Sequence, residues 1–256
     1  MSVSRCRVFK KKSVSRPNVV FILADDLGYG DVGCYNPESK ISTPNMDLLA
    51  KQGVRFTDCH SPSAFCSPTR YGILTGRYCW RTWLKRGVVG GYTPPLIEPD
   101  PMTVASFLKR QGYTTGCFVK WHLGLGWTRQ NGFTPSWKDA ESMWRGSWQD
   151  SFNILPALLG KKSKTPIREA LVSHSENGTF AIRKGGWKLI LDNKTSGGWV
   201  EPSGKRPVPG SPGQLYSLAD DPYEKKDLWE KRQDVVGELT KLLERYKREG
   251  RSASIR

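Results

Sequence analysis

The stretch NVVFILADD, Asn18–Asp26, decides the fold that this sequence predicts. A continuous run of β-branched and large apolar residues ends in two aspartates, Asp25 and Asp26. Such a run, without polar alternation, is typical of a central strand that is covered on both faces. Side chains just past the carboxyl end of that strand lie where open α/β sheets place their sites. We therefore predict a buried strand here and a site that includes the two aspartates.

Helix and strand patterns alternate after this run. Ser42 or Thr43 can cap a first helix that has Pro44 in its first turn, and Thr103 can cap a later one. The predicted helices end at Gly53, Gly76 and Gly112, and the predicted strands are VRFTDCH at 54–60 and YTTGCFVK at 113–120. Alternation at this spacing predicts a mostly parallel sheet flanked by helices.

A different pattern begins after Gly126. Residues 127–150 are polar and Trp-rich, whereas SFNILPALLG at 151–160 is typical of a short helix. Apolar residues then alternate on either side of Gly185–Gly186, which predicts a two-stranded hairpin. QLYSL at 214–218 is a further short strand, and the chain ends in an amphipathic helix. The apolar face of that helix is predicted to consist of Val235, Leu239, Leu242, Leu243 and Tyr246.

These patterns divide the chain into three parts and exclude several classes of protein. We predict a disordered basic tail at 1–16, an α/β half at 17–150 and a C-terminal subdomain, a small antiparallel sheet plus a helix, at 151–256. The formal net charge of +16 attracts anions in general. No basic stripe is interleaved with aromatic residues, which disfavours a nucleic-acid partner, and no apolar run is long enough to cross a membrane.

The cysteines and the N-terminus complete this picture. The six cysteines include no CxxC pair, which disfavours a zinc knuckle, and their even count leaves disulfides open. No apolar run of signal-peptide length follows the basic N-terminus, so the sequence predicts no export signal and leaves the localisation unknown.

Three polar segments each follow a predicted strand. They are ADDLGYGDVGCY at 24–35, CSPTRYGILTGR at 66–77 and KWHLG at 120–124. Because the carboxyl ends of parallel strands meet at one edge of a sheet, we expect these segments to converge. Together they resemble the sulfatase family, of the alkaline-phosphatase-like superfamily, over about 16–127 and again over about 151–247. The C-x-P-x-R motif followed by LTGR is the most specific part of the resemblance.

The resemblance implies a metal ion next to the nucleophile. In the family, the residues at Asp25 and Asp26 bind a cation, usually Ca²⁺, with Mg²⁺ as the alternative, and the modified Cys66 faces the same ion. A hard cation suits carboxylate oxygens and can neutralise the charge of a sulfate ester. Taken alone, two adjacent acids can equally cap the next turn of the chain.

The resemblance also implies the roles of four catalytic residues. Cys66 is the position at which the family carries formylglycine, made by a formylglycine-generating enzyme; its hydrate attacks sulfur and later expels sulfate. Arg70, one turn further along, would hold the modified side chain. Lys120 would pair with a sulfate oxygen, and His122 would polarise the nucleophile or the substrate. Outside this motif a lone cysteine is more often a buried structural thiol.

Several family features have no counterpart in this sequence. The only histidines are His60, His122 and His174, so a further active-site histidine is missing, as are a second metal-binding Asp–Asn pair and a sulfate-binding lysine. We infer an internal deletion near Asp150–Ser151, where the two matching regions meet. Val119 also replaces a glycine that is usual in the family.

Three hypotheses therefore stay open at the level of sequence. The chain is a sulfuric ester hydrolase, a catalytically inactive truncated sulfatase remnant, or a phosphatase or phosphonate hydrolase of the same superfamily. The substrate, an aryl sulfate or a sulfated sugar, cannot be read from these residues.

Overall fold

The computed structural model describes residues 16–90, 93–99, 102–118, 120–124, 150–161, 163–192 and 211–253. The chain forms two compact units, Met1–Arg55 and Phe56–Arg256. The predicted basic tail, apart from residue 16, and most of the polar Trp-rich stretch lie outside the described residues. The predicted domain boundary near residue 150 stays a prediction.

The second unit contains a four-stranded antiparallel sheet with strand order β1-β2-β3-β4. Its strands are β1 (Leu171–His174), β2 (Phe180–Lys184), β3 (Trp187–Ile190) and β4 (Gln214–Ser217). The predicted hairpin and the further short strand are thereby confirmed. Strand β1 was not predicted, because its four residues are too few to show a clear alternation and no turn residue marks where it begins.

One row of apolar side chains crosses the sheet and forms its buried face. The strand register pairs Val172 with Ile182, Ile182 with Leu189, and Leu189 with Leu215. All four side chains are fully buried. The register therefore follows from burial, because a one-residue slip would turn each of these side chains to the opposite face.

The C-terminal helix covers this row. Helix α5 (Gln233–Arg248) packs against β2 and β3 and closes the core. The predicted apolar face is confirmed, with one addition, since the buried residues are Val235, Val236, Leu239, Leu242, Leu243 and Tyr246. Local periodicity predicted this helix correctly because nearly its whole apolar face has a partner within the same unit.

A buried ion pair joins distant parts of the second unit. The carboxylate of Asp150 accepts two hydrogen bonds of 2.8 Å from the guanidinium of Arg81. It also accepts bonds from the backbone N–H of Tyr78 and from both the N–H and the hydroxyl of Ser252. Asp150 is 6% exposed and Arg81 is 3% exposed. Such a pair is tolerated in a protein interior because each charge is hydrogen-bonded.

Four shorter helices precede the sheet in the described part of the chain; the first three were predicted from start or stop signals and the fourth as a short helix within residues 151–160. They are α1 (Pro44–Gln52), α2 (Cys66–Thr75), α3 (Val104–Arg110) and α4 (Leu155–Leu158). Thr103 caps α3 as expected, because its hydroxyl accepts a hydrogen bond from the N–H of Ser106. Gly76 closes α2 with a φ of 64°, a left-handed conformation that glycine adopts without strain.

The predicted parallel sheet is not confirmed by the part of the chain that the structure describes. Residues 18–26, 54–60 and the described part of 113–120 form no strand there, and all paired strands are antiparallel. Val20 and Ile22 are 81% and 83% exposed. A parallel strand needs a partner that returns by a long crossover, whereas a hairpin strand brings its own partner. The apolar pattern shows that a strand could be buried, but it does not show that a neighbour is present.

No helix within the described ranges is long and apolar enough to cross a lipid bilayer.

Candidate active site

The cysteine of the C-x-P-x-R motif lies at the start of α2. Phe65, immediately before the helix, has extended backbone dihedrals, so Cys66 is the first helical residue. Its side chain is partly exposed and its thiol is free. Ser67, Pro68 and Arg70 are buried behind it. The helix therefore presents the cysteine at its open end while the rest of the motif packs into the unit.

Two further side chains fix the orientation of α2. Tyr71 is fully buried, and its hydroxyl accepts a 3.1 Å hydrogen bond from the guanidinium of Arg77. Burial raises the pKa of Tyr71, so the phenol stays protonated. Arg77 also donates to the carbonyl of Arg81 and lies 3.6 Å from the carboxylate of Glu98. The arginine of the LTGR segment thus supports the helix from inside the unit.

The environment of Cys66 differs from that of Cys79, which lies just past the same helix. Cys79 is 4% exposed, and burial raises the pKa of its thiol to about 12. A thiol in such surroundings is inert, because the thiolate is the reactive form. Partial exposure distinguishes Cys66 from this structural thiol, which argues against the interpretation of Cys66 as a buried core residue.

The KWHLG segment runs past the first turn of α2. Lys120 is exposed and His122 is half-buried, and the backbone of His122 has a φ of +52°. Leu123 and Gly124 follow as buried residues; the carbonyl of Leu123 accepts a 2.7 Å bond from the N–H of Leu96. The segment is therefore a fixed turn.

One buried hydroxyl joins this turn to the cysteine helix. Ser67, the residue after Cys66, donates a 2.7 Å hydrogen bond to the backbone carbonyl of His122. The structure thus brings Cys66, Arg70 and His122 into one packed region of the second unit. Sequence reasoning missed Ser67, because the motif leaves its position free and no local pattern reveals a bond between residues 55 positions apart.

The two aspartates belong to the other unit. Asp25 and Asp26 follow the exposed run of residues 18–24, which has no regular secondary structure, and Asp26 has a φ of 58°. No group of three or more His, Cys, Asp or Glu side chains that could hold a metal ion exists among the described residues. Since Ca²⁺ takes about 6–8 oxygen ligands, these donors do not fit a complete calcium site.

The two remaining histidines lie in different surroundings. The imidazole of His60 lies 2.7 Å from a carboxylate oxygen of Asp58 and 2.7 Å from the guanidinium of Arg183. His174 is buried, and burial lowers its pKa to about 4. A cavity of about 380 Å³ on the sheet is lined by His60, Arg183, Lys188 and Glu224, among others, and none of the predicted site residues lines it.

Comparisons with known proteins agree with the motif. A family model described as Sulfatase matches residues 17–159. An N-acetylgalactosamine-6-O-sulfatase of Bacteroides thetaiotaomicron is 48% identical over 111 residues, which are 43% of this chain and 21% of that protein. Human arylsulfatase A is 47% identical over 110 residues, which are 43% of this chain and 22% of that protein. The matched segment is thus about a fifth of the length of these relatives.

One solved structure is similar over most of the chain. It comes from work on the metabolism of multiple glycosaminoglycans by Bacteroides thetaiotaomicron and superposes with a TM-score of 0.67 at 20% identity. The match covers 91% of this chain and 99% of the other. At this level of identity, the likeness concerns the fold alone.

Proposed function

Because this chain belongs to the sulfatase family, whose model it matches over more than half of its length, we propose that it is a sulfuric ester hydrolase. The single observation that carries the proposal is the C-x-P-x-R motif, with Cys66 accessible at the start of α2 and Arg70 buried one turn behind it. In the overall reaction the bond between sulfur and the alcohol oxygen breaks. A water oxygen joins sulfur, and the alcohol and hydrogen sulfate leave.

The proposed nucleophile is made from Cys66. We propose that a formylglycine-generating enzyme converts this residue to formylglycine, whose hydrated aldehyde supplies a hydroxyl nucleophile and a route for releasing sulfate. The partly exposed, free thiol fits this role. The buried thiol of Cys79 does not.

The other side chains are assigned by their position and charge. Arg70 would hold the modified Cys66 from one helical turn away, since residues four apart share a face of a helix. Lys120 would supply a mobile positive charge for a sulfate oxygen, and its exposure leaves it room to reach a ligand. His122 would polarise the reacting oxygen.

A Ca²⁺ or Mg²⁺ ion is the cofactor that the family implies. Asp25, Asp26 and the modified Cys66 stay its proposed ligands, but the described donors alone do not complete a site. No catalytic step is therefore assigned to the metal. A catalytically inactive remnant stays the second candidate function, and the turnover assay below distinguishes the two.

The proposed substrate is the sulfate monoester group itself. The names of the relatives include a sulfated sugar, aryl sulfates and steryl sulfates. The compounds in these names share a sulfate ester but differ in the alcohol that carries it. The proposed substrate is therefore a sulfated small molecule or sugar.

The full chain, co-expressed with a formylglycine-generating enzyme, tests these proposals. Mass spectrometry of the tryptic peptides measures conversion of Cys66, and release of nitrophenol from p-nitrophenyl sulfate in the presence of Ca²⁺ measures turnover. We expect Cys66→Ala to abolish turnover and Cys117→Ala, at an exposed cysteine, to leave it unchanged. Conversion without turnover would support the inactive remnant, and faster turnover of p-nitrophenyl phosphate would support the phosphatase hypothesis.

A further inference from the structure

Ser67 is a fully buried polar residue in the first turn of α2. Its hydroxyl donates a 2.7 Å hydrogen bond to the carbonyl of His122 and accepts a 3.0 Å bond from the N–H of Val89. Neither partner belongs to the helix, and Val89 is itself buried. One hydroxyl therefore ties together the cysteine helix, the Val89 segment and the KWHLG turn.

The backbone conformation of His122 requires stabilising contacts. A φ of +52° is uncommon for a residue with a side chain, and it persists only where the surroundings hold it. The carbonyl of His122 is held by Ser67, and the next carbonyl, that of Leu123, is held by the N–H of Leu96. Since the backbone sets the direction of the Cα–Cβ bond, a bond that holds the His122 carbonyl also holds the point from which the imidazole extends.

We propose that Ser67 is a positioning residue, which fixes the imidazole of His122 relative to Cys66 through the His122 carbonyl. The inference rests on the proposed function in so far as His122 acts in sulfate ester hydrolysis. Ser67 itself is buried and would not touch the substrate. Ser67 is joined to Cys66 by a peptide bond and to His122 by a hydrogen bond, so it connects these two proposed catalytic positions directly.

The chain offers a matched control at Ser63. This serine is also buried, and its hydroxyl donates a 2.6 Å bond to the carbonyl of a different histidine, His174. It also accepts a bond of 3.3 Å from a backbone N–H, that of Phe65. Loss of either hydroxyl removes one hydrogen bond to a histidine carbonyl and one from a backbone N–H, so the two truncations have similar structural consequences. Only the truncation at Ser67 reaches His122.

Histidine ring signals in a ¹³C–¹H correlation spectrum test the geometry without reference to activity. The chain has three histidines, and each signal is assigned with a His→Gln variant. We expect Ser67→Ala to shift or broaden the His122 signal, and Ser63→Ala to change that of His174 instead. Ser67→Thr, which keeps the hydroxyl, should restore the wild-type signal. If Ser67→Ala does not fold, Ser67→Cys, whose thiol is a weak donor, replaces it. An unchanged His122 signal would overturn the inference.

Turnover tests the consequence for catalysis. After correction for the formylglycine content of each sample, we expect Ser67→Ala to lower kcat by about tenfold to a hundredfold, as misplacement of a reacting group does. KM should stay within about twofold, because the substrate does not contact Ser67. Ser63→Ala should change kcat far less. An unchanged kcat in Ser67→Ala would contradict the inference. An inactive wild-type chain would contradict the proposed function, and the ring signals would then decide the inference alone.

Discussion

The cysteine helix (α2, Cys66–Thr75) and the aspartate run (residues 18–26) carry two parts of one predicted site, yet they are built differently. The helix satisfies its own backbone hydrogen bonds, ends at Gly76 and buries Tyr71 within its unit. The aspartate run has no regular secondary structure and exposes Ile22. A motif whose partners are local or lie in the same packed unit forms. The run of residues 18–26, whose predicted partners are other parallel strands, pairs with no strand among the described residues.

The largest effect is expected from the ion pair that follows the cysteine helix. Asp150→Asn would leave the buried guanidinium of Arg81 without its countercharge, and we expect the free energy of unfolding to fall by about 4 kcal/mol in urea titrations. Asp234→Asn is the control, because Asp234 binds Arg232 in the same bidentate manner at the exposed start of α5. A comparable fall in the free energy of unfolding of both variants would contradict the expectation that the buried ion pair is the more costly one to break.

A pair of leucine truncations sharpens the comparison between the two units. Leu243 in α5 is fully buried, so Leu243→Ala should lower the free energy of unfolding by about 3 kcal/mol through lost burial and the cavity left behind. Leu49 in α1 is 66% exposed, and Leu49→Ala should leave the urea midpoint almost unchanged. A large loss at Leu49 would show that the apolar stripe of α1 is covered in solution.

A smaller loss of stability is expected at acidic pH from protonation of His174. The backbone N–H of His174 donates to the carbonyl of Pro62, just before α2, and burial lowers the pKa of its imidazole to about 4. The fold binds fewer protons than the unfolded chain, whose histidine has a pKa near 6.5. The contribution of His174 to the free energy of unfolding is therefore complete above pH 6.5 and is lost as the pH falls from 6.5 to 4.

Urea titrations across this pH range measure the loss. We expect protonation of His174 to account for about 2 kcal/mol of the lost stability. Lys85 is the charged group that acts on the ring, and because it is also positive it gives an imidazolium no countercharge. His174→Gln should flatten the pH dependence by that amount. An unchanged slope in His174→Gln would contradict the assignment.

Much of this architecture could be predicted from sequence where the signals were local. The caps and terminal glycines predicted α1 to α3, and the Gly185–Gly186 turn predicted the hairpin. The apolar face of α5 was predicted correctly because its partner, the β2–β3 sheet, lies in the same unit. The parallel sheet is not confirmed among the described residues, and the buried-strand pattern that predicted it carries no information about whether neighbouring strands exist.

The candidate site follows the same rule. The sequence predicted a short helix that ends at Gly76, and the structure has Cys66 partly exposed at its start. Neither the bond from Ser67 to His122 nor that from Arg81 to Asp150 could be predicted, because each joins residues far apart in the chain through polar atoms that follow no periodicity. The arrangement of the site therefore depends on tertiary bonds that the motif alone does not encode.

Amide hydrogen exchange of the intact chain, read by mass spectrometry of peptides, tests the central comparison most directly. Peptides from the cysteine helix, residues 66–75, should exchange slowly, because their amides are bonded within a packed unit. Peptides from residues 18–26 should exchange almost as fast as an unstructured chain, because they form no strand. Equal protection of the two segments would contradict the account, since it would mean that the aspartate run has found a partner strand.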